Sequence, residues 1–306
     1  MSGDSEAGTC CCASCGIAEI DDIKLVPCDG CDLVRYCGDE CMKDHKSEHE
    51  EGCKKRAAEL REELLFKQPE SSHMGDCPIC MIPLPLHSSK TTLKSCCGKL
   101  ICNGCWYANS TREKEDQSFV PLCPFCRKTA PKTDEEDDKL LMKRVEANDP
   151  VAMSRGAAKQ YTKGDYRTAF EYWKNAAEMG DAKAHYGLSH LYQLGHGVEK
   201  DSVKEIHHLE EAAIGGYPEA RYELGVHEMK NNNNDKRATK HWVIAAKQGC
   251  DNSIKALMKA YKEGFVEKDV LAAALRAHKA AVDTRKSPQR QEVEEFFRDL
   301  AWEEEL

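Results

Sequence analysis

Thiols are the side chains in this sequence with the widest chemical reach, because a thiolate can hold a metal ion, attack an electrophile or pair into a disulfide. The chain has 306 residues and 18 cysteines, 17 of them before residue 127, which leaves Cys250 alone in the last 180. Their spacing selects among the chemistries. Cys12-x2-Cys15, Cys28-x2-Cys31, Cys37-x3-Cys41 and His49-x3-Cys53 are four consecutive donor pairs. A second set follows as Cys77-x2-Cys80, Cys96-Cys97, Cys102-x2-Cys105 and Cys123-x2-Cys126. Two residues between paired cysteines let both sulfurs reach one ion at about 2.3 Å, and a second pair from elsewhere in the chain completes the tetrahedron that zinc requires. Sixteen donors divide into four closed sites, so four structural zinc ions are expected, with no open position for an activated water. Iron–sulfur ligation is the competing metal chemistry, and the histidine and long ligand gaps fit zinc better. Cys10 and Cys11 are alternatives to Cys12 as first ligand, and His45, four residues before His49, could compete with it.

Such ligands need short elements to carry them. Residues 1–9 are small and polar and are expected to be disordered. Residues 10–53 form a first finger in which metal replaces an apolar core. Cys41, His49 and Cys53 are four or eight apart, so one helix would present them on one face. Residues 54–70 read as a spacer helix with Leu60, Leu64 and Leu65 in a stripe, stopped by Pro69. Residues 77–127 form the second finger, and 128–138 read as an acidic linker around Asp134-Glu135-Glu136-Asp137-Asp138. From 139 to 283 the pattern is helical and repetitive. Ala176-Ala177, Ala212-Ala213, Ala245-Ala246 and Ala280-Ala281 are 36, 33 and 35 residues apart, and Gly180, Gly216 and Gly249 follow the first three. Periods in this range mean stacked helical hairpins, with small residues allowing close approach, Trp173 and Trp242 filling space between hairpins, and glycines capping helix ends. A last segment, 287–306, opens at Ser287-Pro288 and places Val293, Phe296, Phe297 and Leu300 on one helical face, which suits a terminal cap. The fold class is therefore multi-domain: two zinc-stabilised fingers followed by an all-α hairpin-repeat solenoid.

The first cluster, with Leu33-Val34-Arg35-Tyr36 before Cys37, resembles the MYND zinc finger over residues 12–53. That resemblance implies interleaved ligands: Cys12, Cys15, Cys37 and Cys41 on one zinc, Cys28, Cys31, His49 and Cys53 on the other. It also implies a protein-interaction module. Met42 and Lys46 stand where members that bind proline-containing peptides carry Gln and Trp, so a purely structural finger is an equal reading. Methyl transfer, found in relatives with a SET domain, is excluded because the helical repeats leave no room for one.

Cys77-Pro78-Ile79-Cys80, Cys96-Cys97-Gly98-Lys99-Leu100-Ile101-Cys102 and Cys123-Pro124-Phe125-Cys126-Arg127 resemble a RING finger over residues 77–127. Lys99 stands where that family usually has a histidine ligand, and the adjacent Cys96 restores the count to eight. The resemblance then implies Cys77, Cys80, Cys102 and Cys105 on one ion and Cys96, Cys97, Cys123 and Cys126 on the other. In RING-type ubiquitin ligases an apolar residue in the first pair, a proline in the last and a cation after the last ligand dock a ubiquitin-conjugating enzyme, and Ile79, Pro124 and Arg127 match. Trp106 and Tyr107 add apolar surface. Leu191-Tyr192-Gln193-Leu194-Gly195-His196-Gly197-Val198-Glu199-Lys200-Asp201 is similar to the Sel-one-like, tetratricopeptide-related repeat, and the likeness extends over about 147–283. Such repeats hold protein partners.

The expected protein is a RING-type ubiquitin ligase that takes its client through the repeats and has no catalytic residue of its own. A non-enzymatic scaffold is the alternative. A formal charge of −9 and the lack of a concentrated basic patch argue against nucleic acid as a partner. No 18-residue apolar run and no signal-peptide pattern occur, so no membrane contact is expected and the location is intracellular, cytoplasmic or nuclear. Cys10, Cys11 and Cys250 fall outside the ligand set. Each module is expected to fold on its own, so that chelation unfolds the first 127 residues and leaves the repeats mostly helical.

Overall fold

The computed structural model describes residues 11–19, 24–111, 122–231 and 233–303, with side chains up to residue 298. It divides into two compact units, Met1–Lys67 and Gln68–Leu306. The first is built on a small hairpin and one long helix. Strands β1 (Val26–Pro27) and β2 (Arg35–Tyr36) pair antiparallel, with Val26 opposite Tyr36. Helix α1 runs from Asp39 to Phe66 without a break, so the helix carrying Cys41, His49 and Cys53 and the expected spacer are one element of 28 residues. Asp39 and Glu40 in its first turn favour the helix dipole, and Lys67 is already extended two residues before Pro69. Its buried apolar core is Cys12, Leu25 and Tyr36, with further cysteines packed around them. A core this small cannot offset chain entropy by apolar burial alone.

Among the described residues of the second unit, a finger leads into ten helices. Strands β3 (Thr91–Lys94) and β4 (Lys99–Cys102) form an antiparallel hairpin, followed by α2 (Asn103–Thr111). Then come α3 (Asp134–Glu146), α4 (Pro150–Thr162), α5 (Tyr166–Glu178), α6 (Ala182–Leu194), α7 (Ser202–Ile214), α8 (Pro218–Asn231), α9 (Asp235–Lys247), α10 (Asp251–Lys262), α11 (Lys268–Asp283) and α12 (Pro288–Glu303). The pairs α4/α5, α6/α7, α8/α9 and α10/α11 are the hairpins, each stacked on the next as a helical repeat solenoid. Asp149, Asp165, Asp181, Asp201 and Asn234 cap five of these helices by accepting backbone N–H bonds in the first turn. Gly180, Gly216 and Gly249 turn the chain between hairpins at φ +84, +83 and +90°, a region where a β-carbon is strained.

The repeated alanines lie on the second helix of each hairpin. Ala176, Ala212, Ala213, Ala245 and Ala246 are fully buried, whereas Ala280 is exposed, as befits the end of an array. The two tryptophans differ from each other. Trp173 of α5 lies over Gly187 on the next hairpin, but Trp242 of α9 lies over Gly225 of its own hairpin and donates to the Tyr222 carbonyl at 3.2 Å.

Three segments depart from the sequence expectation. The acidic run read as a linker is the first turn of α3: Thr133 caps it, Asp137 accepts from Ser95, and Asp138 pairs with Lys159. Acidic side chains suit a helix N-terminus as well as they suit a solvated loop, and sequence charge does not separate the two. The last segment, read as a cap on the solenoid, forms α12 and packs on α2 of the finger. Finally, the finger is not an independent module: Leu93 of β3 packs on the core of Leu141, Val145, Ala157 and Trp173. His73, just before the finger, packs against Tyr217 with tilted rings at 4.5 Å between centroids.

Candidate metal centres

The sixteen residues singled out by spacing converge in four groups: Cys12, Cys15, Cys37, Cys41; Cys28, Cys31, His49, Cys53; Cys77, Cys80, Cys102, Cys105; and Cys96, Cys97, Cys123, Cys126. Within each group all ligand atoms lie within 4.8 Å of one another. Four sulfurs at about 2.3 Å from one zinc stand about 3.8 Å apart, the edge of a tetrahedron. The sulfur separations Cys15–Cys37 and Cys37–Cys41 are both 3.5 Å, Cys28–Cys53 is 3.7 Å, Cys80–Cys102 is 3.9 Å, Cys97–Cys123 is 3.7 Å and Cys96–Cys126 is 3.5 Å. A disulfide would bring two of them to about 2.0 Å. The donors therefore fit zinc, which in such closed four-donor sites would supply folding energy.

In both fingers the first and third pairs share one centre, and the second and fourth share the other. Each chain segment is thus tied across its neighbour, which fixes two centres with few residues between them.

A repeated turn places the first sulfur of one cysteine pair in each of three centres. Cys12, Cys77 and Cys123 donate their N–H to Ile17, Ile82 and Lys128, and their carbonyls accept from Gly16, Met81 and Arg127, at 2.8–3.0 Å throughout. The residue after the second cysteine is left-handed in all three, with φ +75° at Gly16, +55° at Met81 and +57° at Arg127. The turn aims backbone N–H groups at the first sulfur. Cys12 is thereby lowered to about 6, chiefly by the N–H of Cys15. Burial pushes Cys77 and Cys123 up, yet the N–H groups of Cys102, Cys80 and Ile79, and of Cys126 and Phe125, outweigh it and leave both at about 7. Cys37, Cys53, Cys96 and Cys105 move the opposite way. The Cys41 sulfur beside Cys37 is the main cause of its rise to about 12, and burial is the main cause of the rise at Cys53, to about 11, and at Cys96 and Cys105. Four adjacent thiolates repel, and a divalent cation is what allows them to coexist.

His49 Nε2 stands 3.2 Å from Cys31 Sγ, whereas His45 turns its Nδ1 to the Tyr36 hydroxyl at 3.1 Å and its Nε2 toward Glu48. In the second finger Cys96 and Cys97 occupy the β3–β4 turn, where Gly98 adopts φ +74° and its missing side chain leaves room for the Arg144–Asp149 ion pair. Lys99 is exposed on β4, outside the four groups. Ile79 is 42% exposed, and Pro124 and Arg127 are also exposed, all three on the repeated turns. Trp106 packs into the finger's own core, and Tyr107 faces Phe296 of α12 at 5.1 Å between ring centroids. Cys250 is buried at the start of α10. Cys10 lies outside the described residues.

Among family models, the one described as the MYND finger matches residues 12–53. Those residues form a MYND finger. The match accounts for the hairpin, the first half of α1 and both centres of the first unit. No curated protein matches the chain. Solved structures do: a Sel1 repeat protein from Oxalobacter formigenes shares 26% identity at TM-score 0.44, over 55% of this chain and 50% of that one. A protective antigen of uropathogenic Escherichia coli strains displaying an SLR fold shares 16% at TM-score 0.40, over 63% and 40%. An immunity protein from Pseudomonas aeruginosa shares 21% at TM-score 0.35, over 50% and 60%. Among the described residues no helix is long and apolar enough to cross a membrane.

One residue beside the candidate ligands carried no signal in the sequence. Arg290 of α12 is 5% exposed and donates to Cys80 Sγ at 3.5 Å across 210 positions. No spacing rule reaches that far.

Proposed function

We propose that this chain is a zinc-dependent protein-interaction molecule whose second finger acts as a RING-type ubiquitin ligase, with the repeats holding the client. In this reading the sixteen donors are zinc ligands in the four sets given above, and residues 77–127 dock a charged ubiquitin-conjugating enzyme. Catalysis is by positioning: the finger holds the thioester in a reactive pose and forms no covalent intermediate. The observation that carries the reading is the exposure of Ile79, Pro124 and Arg127 on turns of two interleaved centres. An apolar side chain, a rigid proline and a cation presented on metal-fixed turns make a pre-organised docking face.

Autoubiquitination with a panel of conjugating enzymes tests it. Chains are expected with at least one partner, and Ile79→Ala or Arg127→Ala should reduce them about tenfold or more, as loss of a docking anchor does, while four zinc ions are retained. No chains with any partner, or undiminished chains in both variants, would overturn it. A non-enzymatic scaffold is the second reading, favoured by one observation: α12 lies along α2, so part of the finger's surface is already covered by the chain itself.

A further inference from the structure

A zinc ion held by four thiolates leaves a net charge of −2, which is costly to bury unless donors or cations surround it. In the Cys77, Cys80, Cys102, Cys105 group, Cys77 is fully buried and Cys102 nearly so. Backbone N–H groups supply part of the compensation: Cys102 donates to Cys77 Sγ at 3.5 Å and Cys105 to Cys102 Sγ at 3.4 Å. A cation supplies the rest. Arg290 reaches Cys80 Sγ with Nη2, and the same guanidinium donates to the carbonyls of Ile82 at 3.1 Å, Pro83 at 2.7 Å and Arg285 at 2.7 Å. Its fork thus spans the first cysteine turn and the segment that leads into α12. Among the described residues it is the one cationic side chain that hydrogen-bonds a sulfur of any of the four groups.

The helix that carries Arg290 is fitted to this place. Gly104, between Cys102 and Cys105, lies so close to α12 that a β-carbon there would meet Arg290 N at 2.8 Å and Gln289 C at 2.9 Å. Lys90 pairs with Glu294 at 2.8 Å, and Val293 is buried. We propose that Arg290 is a positioning residue for the zinc centre of Cys77, Cys80, Cys102 and Cys105, so that metal retention at this one centre and docking of α12 are thermodynamically linked. Removing the guanidinium leaves the thiolate charge uncompensated, and removing the metal takes away the charge that holds Arg290. The inference rests on the zinc ligand sets and is independent of ligase activity.

The test follows zinc release from the full-length, zinc-loaded chain to a chelator, with a chromogenic indicator, alongside native mass spectrometry. Wild type should release four ions. In Arg290→Ala one ion should leave about 10- to 100-fold faster, the loss typical of an outer partner of a metal ligand, with the other three unchanged. Arg290→Lys, which keeps the charge and loses the fork, should fall between. Gly104→Ala leaves every ligand and Arg290 in the sequence but pushes α12 away, and it should accelerate the same ion. Hydrogen exchange should show α12 opening when that ion leaves. Release profiles like wild type in both Arg290→Ala and Gly104→Ala overturn the inference. Simultaneous loss of all four ions or of the helical signal in Arg290→Ala also overturns it, because Arg290 would then hold the whole fold and not one centre.

Discussion

His45 and His49 sit one turn apart on α1 with stacked rings, yet only His49 is directed at a sulfur, because the Tyr36 hydroxyl and Glu48 engage both nitrogens of His45. His49→Ala should therefore lower the zinc count by one in native mass spectra, and His45→Ala should leave it at four. A count unchanged in the first variant would reassign the ligand. A different histidine sets a pH dependence. His241 is fully buried, and desolvation, aided by Arg221, Arg237 and Lys240, lowers it from 6.5 to about 3. Its folded-state pKa lies below the unfolded one, so the neutral ring favours the fold above pH 6.5, and that contribution is lost as pH falls toward 3. Between pH 7 and 5 the loss is about 2 kcal/mol. Urea midpoints at the two pH values should fall less in His241→Gln than in wild type. Equal falls would show that the ring does not carry the effect.

Glycines on the first helices of the hairpins answer to different neighbours. A methyl group at Gly187 would overlap the Trp173 ring, whereas at Gly156 it would make ordinary contact with Tyr172 at 3.4 Å. Overpacking costs about 1–3 kcal/mol, which exceeds the roughly 1 kcal/mol that alanine returns in helix propensity. Gly187→Ala should thus destabilise the repeats, and Gly156→Ala should stabilise them by up to about 1 kcal/mol, both read from denaturant unfolding. The reverse order would mean that Trp173 moves aside freely.

The finger and the solenoid share side chains, and this changes what chelation does. Leu93 sits on the first repeat core, Ser95 bonds Asp137 of α3, and α12 returns from the end of the array to α2. The second finger therefore does not unfold alone: stripping zinc should leave the helical signal largely in place but lower the Tm of the repeats by about 5–10 °C, the shift for losing a few kcal/mol of packing in a unit of this size. An unchanged Tm would restore the picture of separate modules. Zinc also alters charge, since three four-thiolate centres at −2 and one three-thiolate centre at −1 take the formal −9 to −16.

Spacing by itself determined the donor pairs and the hairpin repeat, while the way the pairs combine into four groups came from family resemblance. Both are local: a cysteine pair reaches one ion across two or three residues, and a helical stripe repeats every turn. The place of Cys96 beside Cys97 in one group was legible too, because the two thiols are adjacent and a charged lysine such as Lys99 is a poor ligand. The tertiary structure alone decided the rest. Whether an acidic run is loop or helix start depends on what caps it, here Thr133 with Ser95 and Lys159 alongside. Whether a terminal amphipathic helix covers the solenoid or the finger depends on which surface needs its one buried cation. That partner is Cys80, 210 residues away, and no periodicity in the chain records it.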